Sequence, residues 1–364
     1  MTNTKNGKII AFALAGIALL VLPLLLQATG SNSWARIVDL ALLYVLLALG
    51  LNIVVGYAGL LDLGYIAFYA VGAYIYGLLA SPHLADTFPA IKEMFPNGVH
   101  VNVWLVMLAA AAIAGLVGMI LGAPTLKLRG DYLAIITLGF GEIIRIFMLN
   151  LDRPVNITNG PKGIAQIDAL TVFGLNMGQR QTFSLGDWSY TFQPVTMYYY
   201  LFLFFVLLSV LVSYRLQDSR IGRAWMAIRE DEIAAKAMGL NTRNLKLLAF
   251  GMGATFGGMS GVLFASFQRF VSPESFSLME SVMVVAMVVL GGIGHIPGVI
   301  LGALMLAGLP ELLRHMPDLS YVTGGRLGPE VLRQLLIALA MVVVMLLRPK
   351  GLWPSPEHGK ALTK

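Results

Sequence analysis

Leu40-Ala41-Leu42-Leu43-Tyr44-Val45-Leu46-Leu47-Ala48-Leu49-Gly50-Leu51-Asn52-Ile53-Val54-Val55 carries no charge and no alternation of polar with apolar positions. Extended back to about residue 34, the run matches the roughly 20 residues that a helix needs to cross a bilayer, and it lacks the polar face of a surface helix. Working outward, runs of the same kind lie near 9–27, 63–80, 101–123, 131–149, 196–214, 245–267, 279–293, 297–313 and 331–347. With 34–55 they predict about ten transmembrane helices, some short or broken. The whole chain agrees: 364 residues are 57% hydrophobic and only 12% charged, with mean hydropathy +0.78. Soluble domains carry about 25% charged residues. The fold class is therefore all-α and polytopic in a membrane, with too little polar chain left for a sizeable soluble catalytic domain.

The net charge of +6 is better explained by membrane insertion than by nucleic-acid binding, because of where the basic residues fall. With Lys5 and Lys8 inside and sides alternating at each span, Lys127 and Arg129, the cluster Arg215 to Lys246, and Arg348, Lys350, Lys360 and Lys364 are also inside. Fewer fall outside, several of them in long loops that weigh little in the orientation rule. Both termini are expected in the cytoplasm. The first run is read as a retained helix, since Ile9 to Leu26 exceeds the roughly 7–15 residues of a signal core. A cleaved signal is the alternative, because two lysines precede it. Cysteine is absent and the five histidines are scattered, so neither thiolate nor histidine spacing suggests a metal site.

Two connections look irregular. Gly291-Gly292-Ile293-Gly294-His295-Ile296-Pro297-Gly298 breaks the 279–313 run into arms of about 15 and 17 residues, short for the hydrocarbon. Gly56-Tyr57-Ala58-Gly59-Leu60-Leu61-Asp62-Leu63-Gly64 is a tight and almost uncharged link, expected to pack inside the protein. Glycines four apart, at 253, 257 and 261, at 118 and 122, and at 298 and 302, suit close helix–helix approach within the chain or against a partner.

The inner loop 215–246 reads as helix. Ser219 can cap the run from Ile221 to Arg229, and Asp231 can cap Glu232 to Met238, which Gly239 closes. Glu232 stands four residues before Lys236, the favourable order for a helical ion pair, while Ile233, Ala237 and Met238 group on an apolar side. A short helix of small residues with acidic N-terminal flanks suits docking in another protein's groove.

The run Ile221-Gly222-Arg223-Ala224 … Ala227-Ile228-Arg229-Glu230-Asp231-Glu232-Ile233-Ala234-Ala235-Lys236-Ala237-Met238-Gly239-Leu240 resembles the cytoplasmic coupling loop of ABC-importer permeases. It is most similar to the LivM type of branched-chain amino-acid importer. Gly56-Tyr57-Ala58-Gly59 … Leu63-Gly64, Lys127-Leu128-Arg129-Gly130-Asp131-Tyr132, Thr137 to Arg145, Val289 to Gly294 and Arg348-Pro349-Lys350-Gly351-Leu352 extend the likeness over most of residues 34–353. Asp62 and His295 depart from the small residues usual at those places.

The resemblance implies the ABC-importer permease fold, with residues 1–353 as one transmembrane domain holding an external loop at 150–195 and the coupling loop at 215–246. Residues 354–364 would form a cytoplasmic tail. Glu230, Asp231, Glu232, Ala234, Ala235 and Gly239 would meet an ATPase. Implied partners are two ATP-binding cassette subunits, a related second permease, an external substrate-binding protein, the lipid bilayer and a small amino-acid substrate. Nucleic acid is not among them. Leucine, isoleucine and valine are the expected substrates, and urea importers use a similar permease. The expected location is the bacterial inner membrane.

No Gly-x-x-x-x-Gly-Lys-[Ser/Thr] string occurs, so the chain is read as a non-enzyme, without cofactor or catalytic residues, whose energy comes from partners. Intramembrane charges need partners or water, which singles out Asp39, Asp62, Glu142, Arg145, Glu280 and Glu311. Glu142 and Arg145, three apart, neutralise each other or line the path. Asn52 and Thr137 meet a passing substrate or bond to a neighbouring helix. Asp39, Asp62, Glu280 and Glu311 lie near span ends, where solvation relieves their cost. The 150–195 loop docks the binding protein or caps the cavity. An ion-coupled secondary transporter is the competing class, and a membrane-embedded enzyme a more distant one.

Overall fold

The computed structural model describes residues 16–353 apart from 29, 31, 97, 127, 129, 173, 186–187, 315–334, 336–337, 340, 344 and 349–350. The start of the first expected span, much of the last, Lys127, Arg129, Pro349, Lys350 and the 354–364 tail lie outside the described residues. The main helices are α1 (Gly16–Ala28), α2 (Asn32–Asn52), α3 (Ile66–Leu79), α4 (Val103–Thr125), α5 (Asp131–Asn150) and α6 (Pro194–Gln217). After them come α7 (Arg220–Glu230), α8 (Glu232–Ala237), α9 (Thr242–Gln268), α10 (Leu278–Gly291) and α11 (Ile296–Arg314). Among the described residues seven helices are long and apolar enough to cross a membrane, and α1 and α3 are shorter apolar helices.

The centre of the bundle is α9, which packs chiefly on α4 and α3, with α2 behind them and α11 and α6 against α2. Lipid supplies no hydrophobic drive between helices, so close backbone approach through small residues must hold them. A Cβ at Gly261 would lie 2.2 Å from the Tyr69 carbonyl oxygen, and one at Gly118 2.6 Å from Ala254 Cβ. A Cβ at Gly302 would meet the Met287 oxygen at 2.2 Å. The predicted glycine rows therefore serve packing within the chain.

Both irregular connections are largely buried, although Gly59 and Ile293 are exposed. Helix α2 ends in a π-helical turn, Ile53–Tyr57, every residue of which is buried. Leu60 N then donates to the Val54 oxygen at 3.1 Å, folding the chain inward rather than into solvent. Between α10 and α11, Gly292 and Gly294 take φ of 123° and 83°, a region that favours glycine. The distant segment Gly351–Trp353 completes this break. Leu352 N donates to the Leu290 oxygen at 2.8 Å and Trp353 N to the Gly291 oxygen at 3.1 Å, which satisfies the last carbonyls of α10.

The 150–195 stretch is partly built into the bundle. Ile164, Ile167 and Leu170 are buried, and Ile164 pairs with Val271 in a two-residue ladder just beyond α9. Tyr76 Oη donates to the Asp168 oxygen at 3.0 Å, and Leu170 N donates to Tyr198 Oη at 3.1 Å. Gln181–Leu185 pairs antiparallel with Trp188–Phe192 in a hairpin of the same stretch.

Candidate functional site

Between α6 and α9 the chain leaves the apolar bundle and forms the two short helices that its caps predict. Ser219 Oγ accepts from Gly222 N at 3.0 Å to open α7, and Asp231 Oδ1 accepts from Ile233 N at 2.8 Å and Ala234 N at 3.0 Å to open α8. Gly239, at φ of 86°, closes α8, with Leu240 N donating back to the Ala235 oxygen at 3.1 Å.

The unit is clamped to the membrane helices rather than hung from them. Trp225, fully buried, donates from Nε1 to the Leu245 oxygen at 2.7 Å, and Ile228 is buried beside it on α7. Glu232 lies 2.7 Å from Lys246 Nζ, whose side chain is only 6% exposed. That corrects the expected Glu232–Lys236 pairing: the fold brings the first turns of α9 under α8, and a buried ammonium takes the carboxylate. Ala235, expected at the partner surface, is buried against the chain's own body. Its small size seats α8, while Ala234 and Gly239 stay exposed together with Glu230 and Asp231. Ile233 is 68% exposed and Met238 84% exposed, so the outer face of α8 is apolar and uncovered in the single chain.

Above this unit the two breaks meet. Asn52 Oδ1 accepts from Gly294 N at 2.9 Å, joining the end of α2 to the turn between α10 and α11. A Cβ at Gly56 would lie 2.1 Å from the same Asn52 oxygen and 2.9 Å from Gly294 Cα, so the turn tolerates only glycine there. The Arg229 guanidinium, reaching up from α7, donates from Nη1 to the Gly56 carbonyl oxygen. Arg229 was legible as part of the polar 215–246 loop but not as a contact to a span 173 positions away.

Thr137 performs the same service for the second half of the break. Its hydroxyl donates to the Ala134 oxygen at 3.0 Å and accepts from Leu63 N at 3.0 Å, and the Gly64 backbone presses on the Thr137 carbonyl. Asn52 and Thr137 thus have their side chains committed to backbone groups of the breaks, not turned toward an open path. Replacing Asn52 by leucine leaves the buried Gly294 N–H without an acceptor, which costs roughly 1–3 kcal/mol. The thermal midpoint of the purified protein should fall accordingly; an unchanged midpoint would dissociate Asn52 from the junction.

Two of the four carboxylates expected near span ends do not sit where solvation would help them. Asp39 and Asp62 are buried, correcting that expectation, because neighbouring helices cover both α2 at Asp39 and the link before α3 that carries Asp62. Asp62 Oδ1 accepts from Gly64 N at 2.9 Å, while Oδ2 meets no donor among the described residues. Glu280 accepts from Tyr44 Oη at 2.8 Å. Glu142 and Arg145 form their own fork, with Arg145 Nε 3.0 and 3.1 Å from the two Glu142 oxygens. The fork lies on α5, whose apolar window is only 22% buried, and its two side chains remain 26% and 36% exposed. A charge pair on a mostly uncovered membrane helix calls for protein or water beside it rather than lipid. No group of three or more potential metal-ligating side chains occurs among the described residues.

Comparison with known proteins agrees with this architecture. Residues 33–345 match the family model described as a branched-chain amino acid transport system permease component. The chain is 41% identical over 359 residues to the high-affinity branched-chain amino acid transport system permease protein LivM of Escherichia coli K12, covering 96% of this chain and 76% of that one. A probable branched-chain amino acid transport permease protein LivM of Methanocaldococcus jannaschii is 28% identical, across 86% of this chain and 91% of its own length. The E. coli permease protein LivH is 27% identical across 89% of this chain and 95% of its own. No solved structure matches.

Proposed function

The chain belongs to the branched-chain amino-acid transport permease family, a family of multi-pass membrane transport components, and from that premise we propose the following role. It is the transmembrane permease subunit of an ATP-driven importer for leucine, isoleucine and valine. It supplies half of a translocation path and pairs with a second, related permease. Residues 1–353 act as one domain in the bacterial inner membrane, with both termini and α8 on the cytoplasmic side. An external binding protein delivers the substrate to the opposite face.

One observation carries this reading: α8 presents Ile233 and Met238 outward while Lys246, Trp225 and Ala235 fasten it to the bundle. A helix built that way receives a push from outside and passes it inward without flexing. Two ATP-binding cassette subunits are the partners proposed for it, meeting Glu230, Asp231, Glu232, Ala234 and Gly239, with Ala235 as the seat. Closure of those subunits on ATP would shift the docked helices and rock the span bundles, exposing the cavity to alternate sides. Glu142 and Arg145 are assigned to the path because α5 leaves them uncovered. Asp62 is placed at its edge, and Asn52 and Thr137 shape the wall by holding the breaks.

Isolation from membranes in mild detergent tests the assembly: nucleotide-hydrolysing subunits and a second permease should copurify, and the external component should bind leucine more tightly than urea. The buried carboxylates Asp39 and Asp62 favour a second reading, an ion-coupled carrier. Uptake by the purified chain alone in vesicles under a proton gradient would support that reading and defeat the first. Topology has its own check. Since the chain has no cysteine, Lys236→Cys supplies a single thiol, and labelling should come only from the cytoplasmic side; labelling from outside would invert the orientation.

A further inference from the structure

Most of the coupling unit touches the bundle through α9, by way of Trp225 and Leu245 and of Glu232 and Lys246. Helix α9 is the bundle's continuous central post, 27 residues long without a break. A post of that kind carries a rigid-body tilt but does not by itself reshape the two interrupted segments. Arg229 makes a different connection. It occupies the last turn of α7, two residues before Asp231, the cap of α8. Its side chain is only 18% exposed and rises between the two breaks.

Three contacts define its place. Nη1 donates to the Gly56 carbonyl oxygen in the π-helical turn. The aliphatic stem fills the space over Gly59, where an added Cβ would come 2.5 Å from Arg229 Cγ and 3.2 Å from Arg229 Cβ. At Gly294, in the other break, an added Cβ would lie 3.0 Å from Arg229 Nη1. Gly56 and Gly294 are in turn tied together through Asn52. π-helical turns are rare interruptions that recur at functional sites, and glycine at positive φ gives a turn the conformational freedom of a hinge.

We infer that Arg229 is the positioning residue that carries movement of α8 into the two interrupted spans, holding the Gly56 carbonyl to the coupling unit so that both breaks move with it. The inference rests on the importer reading given above and deepens it. Arg229 touches no substrate. It acts through the backbone at Gly56, and its loss should separate ATP hydrolysis from substrate movement rather than prevent either subunit from assembling.

The test uses the complete transporter in proteoliposomes and compares two variants at position 229. Arg229→Met keeps the stem over Gly59 and removes the donor; Arg229→Lys keeps the stem, the charge and an N–H donor long enough to approach the Gly56 carbonyl. Copurifying ATPase subunits, ATP hydrolysis and leucine uptake are measured for each, with the exposed Arg223→Met on the same helix as a control. Arg229→Met is expected to assemble and hydrolyse ATP, with leucine moved per ATP reduced about tenfold, the scale of one lost hydrogen bond from a charged donor. Arg229→Lys should stay within about threefold of the unaltered protein, since a charged donor remains within reach of Gly56. Equal ratios in all four proteins would overturn the inference, as would equal losses in both Arg229 variants. Failure of Arg229→Met to assemble would also overturn it, by showing a role in folding. If the unaltered complex shows no ATP-driven uptake, the importer reading itself falls, a result distinct from any difference among variants.

Discussion

Ile233→Asp combined with Met238→Asp should leave the chain inserted and folded, yet strip it of its ATPase partners. Both side chains are largely in solvent in the isolated chain, at 68% and 84% exposure, so exchanging them for carboxylates removes little internal contact. Exposed substitutions of this kind usually change stability by less than about 0.5 kcal/mol. In a docked complex the same positions would be desolvated. Each buried apolar side chain of this size is worth roughly 1.5–3 kcal/mol, and an unpaired buried carboxylate costs more again. The pair should therefore weaken association by at least about a hundredfold. Retention of ATPase subunits on the tagged chain through purification is the measurement, with the thermal midpoint of the free chain as the folding control. Full retention would remove α8 from the docking surface. Ala235→Arg, which the sequence alone would offer for the same test, is less informative: Ala235 is buried, so loss of partners would follow from an unseated helix as readily as from a blocked surface.

Gly72→Val is expected to prevent the bundle from forming. A Cβ at position 72 would lie 2.0 Å from the Gly258 carbonyl oxygen, an impossible contact with backbone rather than with a movable side chain. Gly258 cannot retreat, because its own Cα side faces the Ala110 oxygen and Ala114 Cβ of α4, at 2.8 and 2.6 Å from an added Cβ. Three helices meet at this one crossing. Overpacking a core with side-chain freedom costs about 1–3 kcal/mol, and with both neighbours fixed the penalty should exceed about 3 kcal/mol. The protein should be lost from membranes or recovered only as aggregate. Gly139→Val is the companion variant, since nothing lies within 4 Å of an added Cβ there. Similar yields and midpoints for the two would refute close backbone packing as the basis of the fold.

These two variants mark different degrees of legibility. The short helices α7 and α8 could be read locally: Ser219, Asp231 and Gly239 announce their ends by residue type and spacing, and Ser219 and Asp231 cap the starts while Gly239 closes α8. The partner of Glu232 could not. Spacing along one helix favoured Lys236, but Lys246 becomes the nearer cation only when α9 folds back beneath α8. Asn52 and Thr137 were recognisable as polar residues inside apolar runs. Whether they would face a path or brace a turn depended on where Gly294 N and Leu63 N came to lie, 242 and 74 positions away. Asp39 and Asp62 looked solvated because they stand near span ends, yet neighbouring helices cover both.

Hydropathy and cap chemistry are properties of a residue and its near neighbours, so the chain's own order was enough to establish an all-helical membrane protein, the approximate placing of its spans, the two broken segments and the short capped helix α8. The joining of the breaks belongs to the tertiary structure. Arg229 on Gly56, Asn52 on Gly294 and Leu352 on Leu290 each unite residues that no helical period relates, and which glycine admits which backbone is settled only when the helices have met.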